Sequence, residues 1–295
     1  MVLTTARNST AGEVRRCLRV AAVQMKFAPT IDENLANIER LLSEAARRRT
    51  DAVLLPECAT TGYGYVFSRL KPAEITAALA AVGRMAARFR MNVLTGSPVF
   101  RRGRLHNCLV VFDRQGTVIH CYAKCHLTAM DRQCFAPGNA IALFRIDGVC
   151  ATAVICHERR YPELVRLAVM AGARILFHPN AGMDSPAVSR RKRGGRDGIA
   201  LRAFENAIYY VFANSVGPQG DGKWSAGDSK IVAPDERVLR LADNHNESVI
   251  VANLDLFKAS GVYAQRGMMN PRFLAPHWKR MVGVLRRQAA RSVLP

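Results

Sequence analysis

The sequence predicts an α/β fold of the layered sandwich type, and three observations carry that expectation. Apolar, β-branched runs alternate with amphipathic helical patterns along most of the chain. Three consecutive strand-like runs in the middle are joined by short turns, so the alternation is interrupted by hairpins that a closed βα barrel would not contain. Neither an internal repeat nor a polar linker divides the chain. At 295 residues, nearly half of them apolar, it is long enough to bury a large single core.

Taken in order, LRVAAVQM (18 to 25) reads as a buried strand. The helix that follows, 31 to 49, aligns Leu35, Ile38, Leu41, Leu42 and Ala45 on one face and carries acids in its first turn. DAVLLPE (51 to 57) is the second strand, and a helix spans about 72 to 90 behind Pro72. MNVLTGSPVF, HNCLVVFD and TVIHCYAK are three strands separated by RRGRL and RQG. After Pro137-Gly138 come strands at 141 to 146 and 149 to 155, a helix over 161 to 172, and the strand ARILFHP (173 to 179). A helix through RDGIALRAFENA, the strand IYYVFANSVG and two short strands, GDSKIVAP and SVIVANLD, complete the domain, which is bounded at 18 to 255.

Residues 1 to 17 are expected to be a flexible leader, because they lack the apolar core of a secretion signal. Residues 256 to 295 form a basic tail, with Trp278 and Met281 among its arginines, expected to pack on a neighbouring subunit. No apolar run approaches the roughly 18 to 20 residues that cross a bilayer. The eight cysteines are scattered without paired CxxC spacing, which fits free thiols in a reducing cytoplasm. Cys121, Cys125 and His126 lack the second ligand pair of a zinc site, so no metal is expected.

Lysine and arginine number 43 against 23 acids, a formal charge of +20. The excess gathers in SRRKRGGRDGIALR (189 to 202) and in the tail, where no acid follows Asp255. Neither stretch interleaves aromatics with its charges, which argues against a single-strand nucleic-acid platform. A solvated or subunit-facing basic surface is the expected reading.

Three apolar strands end abruptly at a reactive or charged side chain: Glu57 after LLP, Lys124 after TVIHCYA, and Cys156 after ATAVI. Parallel strands deliver their C-terminal ends to a common crevice, so these residues are candidates for one site. A cysteine at the junction of strand and helix also meets unpaired N–H groups and a positive dipole end, which favour a thiolate.

LLPE with GY following, YAKCHL and ICHERRYPE resemble the three signature blocks of the nitrilase superfamily of carbon–nitrogen hydrolases. RAFENAIYYVFANSVG and GDSKIVAPDERV are similar to its two later blocks. The resemblance covers about residues 18 to 255 and implies a four-layer αββα sandwich with mixed sheets in a single domain. It implies a Glu57-Lys124-Cys156 triad that works through a thioester with no metal or organic cofactor, on a small amide, carbamoyl or nitrile substrate. In that scheme Cys156 attacks, Glu57 moves protons, and Lys124 with the backbone N–H of His157 meets the oxyanion.

The resemblance also implies a homodimer built across the helices after Cys156 and Ser185. An assisting glutamate of the family is replaced by Asp131, one methylene shorter, which could instead cap a turn. His157 departs from the tryptophan typical of nitrilases and points to the amidase and N-carbamoyl amidohydrolase branches, with a nitrilase as the alternative. Arg160 is positioned to grip a substrate carboxylate or to pair with Glu163 or Glu205. Tyr63 and Tyr65 are expected at the entrance. Glu205, Asn206 and Asn214 are expected to hydrogen bond to the neck of the nucleophile loop. A non-catalytic or polyanion-binding role on the same fold is the reading from a different class.

Overall fold

The computed structural model describes residues 16–64, 66–191, 199–220 and 222–289. It contains two six-stranded mixed sheets stacked face to face, with helices on both outer surfaces. The first sheet has the order β14-β1-β2-β3-β4-β5, from β1 (Cys17–Gln24), β2 (Ala52–Leu54), β3 (Asn92–Arg101), β4 (Arg104–Phe112), β5 (Val118–Ala123) and β14 (Ser248–Asp255). The second has the order β13-β12-β9-β8-β7-β6, from β6 (Phe144–Ile146), β7 (Val149–Ala153), β8 (Ile175–Asn180), β9 (Tyr209–Asn214), β12 (Lys230–Val232) and β13 (Val238–Leu241).

The strands are apolar on both faces because each face has a cover. In β1, Leu18, Val20 and Ala22 enter the core between the sheets, where Ile175, Phe177 and Val211 meet them. Ala21 and Val23 point the other way, onto Ile38, Leu41 and Leu42 of α1 (Ile31–Arg47), beside α2 (Pro72–Phe89). Helix α1 starts at Thr30, whose hydroxyl accepts from the Glu33 N–H while the Glu33 carboxylate accepts from the Thr30 N–H at 3.1 Å, a reciprocal cap. On the second sheet, α3 (Pro162–Met170) and α5 (Ile199–Phe204) cover Leu176, Tyr210 and Phe212.

Within the first sheet β1, β2 and β3 are parallel, and β5 returns through β4 to run in the same direction. In the second, β7, β8 and β9 are parallel. The chain therefore leaves β2, β5, β7 and β8 at one end of the stack, and Glu57, Lys124, Cys156 and Asn180 lie at that end.

Several segments depart from the sequence expectation. The stretch IYYVFANSVG is not one strand: it breaks at Ser215, and β10 (Val216–Gly220) pairs instead with β11 (Lys223–Ala226) in a separate ribbon. Strand β13 carries no readable apolar pattern in the sequence, because its exposed edge position leaves no buried face. Short α4 (Pro186–Arg191) directly follows Ser185, and residues 192–198 of the basic stretch 189 to 202 lie outside the described residues.

Cys17, assigned to the leader, opens β1 opposite Asp255, and Arg16 accepts from the Leu256 N–H; residues 1–15 lie outside the description. The tail folds into α6 (Val262–Met269) and α7 (Ala275–Ala289). Their buried Ala264, Val282 and Leu285 pack against α3 of the same chain, so the apolar stripe is covered internally. Gln265 fastens this layer by donating to the Val169 carbonyl at 3.2 Å. Among the described residues no helix is long and apolar enough to cross a membrane.

Candidate active site

Glu57 is fully buried where the chain leaves β2, at an elbow made possible by Gly96 of β3. A Cβ on Gly96 would lie 2.3 Å from the Pro56 oxygen and 2.5 Å from the Cys58 nitrogen, so only glycine lets the elbow cross so closely. The Glu57 carboxylate accepts from three nitrogen donors: Lys124 Nζ at 2.8 Å, Asn107 Nδ2 at 2.8 Å and the Ala181 N–H at 3.0 Å. Lys124 is buried just past β5 and donates also to Asp131, 2.9 Å away. Two of its three N–H groups are thus held by carboxylates, and among the described residues the third has no hydrogen-bond acceptor. Burial opposes its charge, but Glu57, Cys156 and Asp131 hold Lys124 well above the ordinary lysine value.

Asp131 both holds the lysine and shapes its loop. It accepts from the Tyr63 hydroxyl and from the Thr128 N–H at 2.9 Å. Burial disfavours its charge, yet Lys124 and Tyr63 more than offset this and leave Asp131 below the usual carboxylate range. Tyr63 lines the cavity with its ring edge-on to Phe67. Tyr65 lies outside the described residues.

Cys156 opens a short 3-10 helix directly after β7, with φ +51°, a left-handed conformation that side chains other than glycine adopt at a cost of order 1–3 kcal/mol. Its thiol hydrogen bonds to Glu57. The sequence favoured a ready-made thiolate here, but burial, and after it the charge of Glu57, push the thiol up to about 12 against the pull of Lys124. The low-dielectric setting and the adjacent carboxylate outweigh the helix end.

The strand ends are tied together by Glu158, a buried carboxylate that sequence reading assigned no role. It accepts from the Ile155 N–H at 2.8 Å on the Cys156 loop and from the Cys125 N–H at 2.7 Å and the His126 N–H at 3.1 Å on the Lys124 loop. The Tyr122 hydroxyl also donates to it, at 2.9 Å. Because β5 and β7 belong to different sheets, this one side chain fastens Lys124 to Cys156 across the sandwich.

A cavity of about 380 Å³ opens above Cys156. His157, Arg159, Arg160, Met183 and Asn214 line it together with Tyr63. Arg160 pairs with neither Glu163 nor Glu205 among the described residues. Glu205 accepts from Arg202 at 2.8 Å, and Arg202 in turn donates to the Arg159 carbonyl at 3.0 Å, which ties Glu205 to the Cys156 loop through one intermediary. Asn206 donates to the Arg202 carbonyl at 3.1 Å, within its own segment. Asn214 serves a different loop from the one expected: it accepts from Asn180 at 2.8 Å and from the Gly182 N–H at 3.1 Å, and so shapes the segment after β8. Burial, then Arg160 and Lys124, lower the His157 pKa. Among the described residues no group of three or more His, Cys, Asp or Glu side chains is arranged to hold a metal ion.

Residues 19–262 match the carbon-nitrogen hydrolase family. The chain belongs to that family. Among curated relatives, a nitrilase of Pyrococcus abyssi is 30% identical over 81% of this chain and 90% of its own length. A 2-oxoglutaramate amidase of Bacillus subtilis is 28% identical, covering 78% and 87%, and an omega-amidase of Bos taurus 27%, covering 84% and 92%. Among solved structures, an amidase from Nesterenkonia AN1 of the nitrilase superfamily superposes with a TM-score of 0.76 at 23% identity, over 90% of this chain and 98% of that one. A carbon-nitrogen hydrolase from Helicobacter pylori G27 gives 0.78 at 22%, over 88% and 96%. The stacked mixed sheets of this carbon-nitrogen hydrolase are the fold those structures share.

Proposed function

We propose that this carbon-nitrogen hydrolase is a thiol amidase that releases ammonia from a small amide bearing a carboxylate at its far end. The observation that carries the reading is the buried Glu57–Lys124–Cys156 contact beneath a cavity lined by Arg159 and Arg160. A thiol at about 12 is neutral at physiological pH, so its proton passes to Glu57 as Sγ attacks the amide carbon. The free N–H of Lys124 and the His157 backbone N–H receive the oxyanion. Collapse expels ammonia carrying the proton held by Glu57 and leaves a thioester at Cys156. Glu57 then takes a proton from water, the water oxygen attacks the thioester, and the acid departs as the thiol is restored.

The far carboxylate is supported by the two arginines and by relatives named 2-oxoglutaramate amidase and omega-amidase. One charge-assisted contact is worth about 1.5–3 kcal/mol, or roughly 10- to 100-fold in affinity. Ammonia release is to be measured from ω-amides of four- and five-carbon dicarboxylates, neutral amides of equal length, N-carbamoyl amino acids and nitriles. The ω-amides should lead by that factor in kcat/KM, and Arg160→Met should abolish the lead while sparing turnover of the neutral amide. Equal rates on neutral and anionic amides would remove the carboxylate from the proposal, and faster nitrile turnover would make the chain a nitrilase.

The protein is further proposed to act in the cytoplasm as a homodimer. Leu201 and Phe204 of α5 are about half exposed beside Tyr263, whose ring lies 6.5 Å from that of Phe204. A monomer in sedimentation at micromolar concentration would refute the dimer.

A further inference from the structure

His178 of β8 is fully buried behind the nucleophile, and the triad makes no use of it. Its Nε2 lies 2.9 Å from the Cys156 carbonyl oxygen. A carbonyl can only accept, so Nε2 carries the hydrogen. Nδ1 meets the Tyr210 hydroxyl. Burial, followed by the charge of Arg159, holds the histidine pKa well below its ordinary value, so the ring is neutral and Nδ1 accepts from Tyr210. The pair is locked in place by register: His178 lies opposite Phe212 across β8 and β9, with ring centroids 4.9 Å apart, and Tyr210 is two residues before Phe212 on the same face.

The Cys156 carbonyl and the His157 N–H belong to one peptide unit. That unit is planar and trans, so the two groups point in opposite directions, and fixing one fixes the other. The left-handed φ of Cys156 is the setting that a neighbour has to hold against relaxation. A hydrogen bond on the carbonyl also polarises the peptide and strengthens its N–H as a donor.

We infer that His178, oriented by Tyr210, is a positioning residue that aims the His157 backbone N–H at the oxyanion. The inference rests on the thiol-amidase reading for its role in turnover, but not for its geometry. Loss of a whole oxyanion donor costs about 10²–10³ in kcat, and a mis-aimed donor should cost part of that, roughly 10- to 100-fold.

The test separates aiming from folding and from substrate identity. Alkylation of Cys156 by iodoacetamide is a displacement at saturated carbon that develops no oxyanion, whereas reversible addition of butyraldehyde to Cys156 gives a tetrahedral oxygen that needs the donor. In His178→Phe, the butyraldehyde dissociation constant should rise at least tenfold while the iodoacetamide rate stays within about threefold of the parent. His178→Gln, which keeps an amide donor near the carbonyl, should recover most of the loss, and Tyr210→Phe should fall between. On an amide substrate the same variants should lower kcat with little change in KM. Equal loss of alkylation and aldehyde binding would make His178 a support of the fold alone, and unchanged aldehyde binding in His178→Phe would also overturn the inference. Both probes read Cys156 without an amide substrate, so a failed substrate screen would leave this test standing.

Discussion

Burial and the charge of Glu57 keep the Cys156 thiol protonated at rest, and that fact fixes the sign of one substitution. Replacing Glu57 by glutamine removes a negative charge and a hydrogen-bond acceptor that both raise the thiol, while Lys124 still lowers it. The pH profile of Cys156 alkylation should therefore shift to lower pH in Glu57→Gln even as ammonia release falls by about 10²–10⁴ with loss of the proposed base. A shift to higher pH would contradict the assignment. Asp131 is held below the usual carboxylate value, so its contribution to stability is complete above the unfolded value near 3.9 and is lost as pH falls through the lower folded value. Asp131→Asn should lower the melting temperature at pH 7 and narrow the gap to the parent at acid pH, which thermal melts across pH will read. The strand-end residues Glu57, Lys124 and Cys156 were legible in the sequence because each interrupts an apolar run. Glu158, His178 and Asn107 were not, because their partners come from strands distant in sequence or from the other sheet.

At the scale of elements, the elbow over Gly96 and the Glu158 tie decide where the strand ends sit. A methyl group at Gly96 meets three backbone atoms of the 56–58 elbow and cannot be relieved by a rotamer change. Gly96→Ala should displace Glu57, and a misplacement near 1 Å costs about 10²-fold in rate. The protein should remain folded by circular dichroism, with activity as the failing readout. Glu158→Gln substitutes a donor for one acceptor facing three N–H groups and the Tyr122 hydroxyl, and should destabilise by about 1–3 kcal/mol in denaturant melts. Most strands and long helices could be read from periodicity, since each apolar face has its own cover. The helices of the tail could have been: Trp278, Val282 and Leu285 recur at helical spacing, but the density of arginine masked the stripe.

For the whole molecule, the net charge of +20 is not explained by the site, whose buried Lys124 is paired with Glu57 and Asp131. In the layered architecture, Glu57 and Lys124 come from one sheet and Cys156 from the other, so neither sheet alone carries the whole of the proposed triad. Hydrolysis is consequently a gauge of how the two halves of the sandwich are seated against each other. Moderate urea that loosens the stack should extinguish ammonia release before far-ultraviolet circular dichroism declines. Coincident loss of both signals would mean that the halves part only when they unfold.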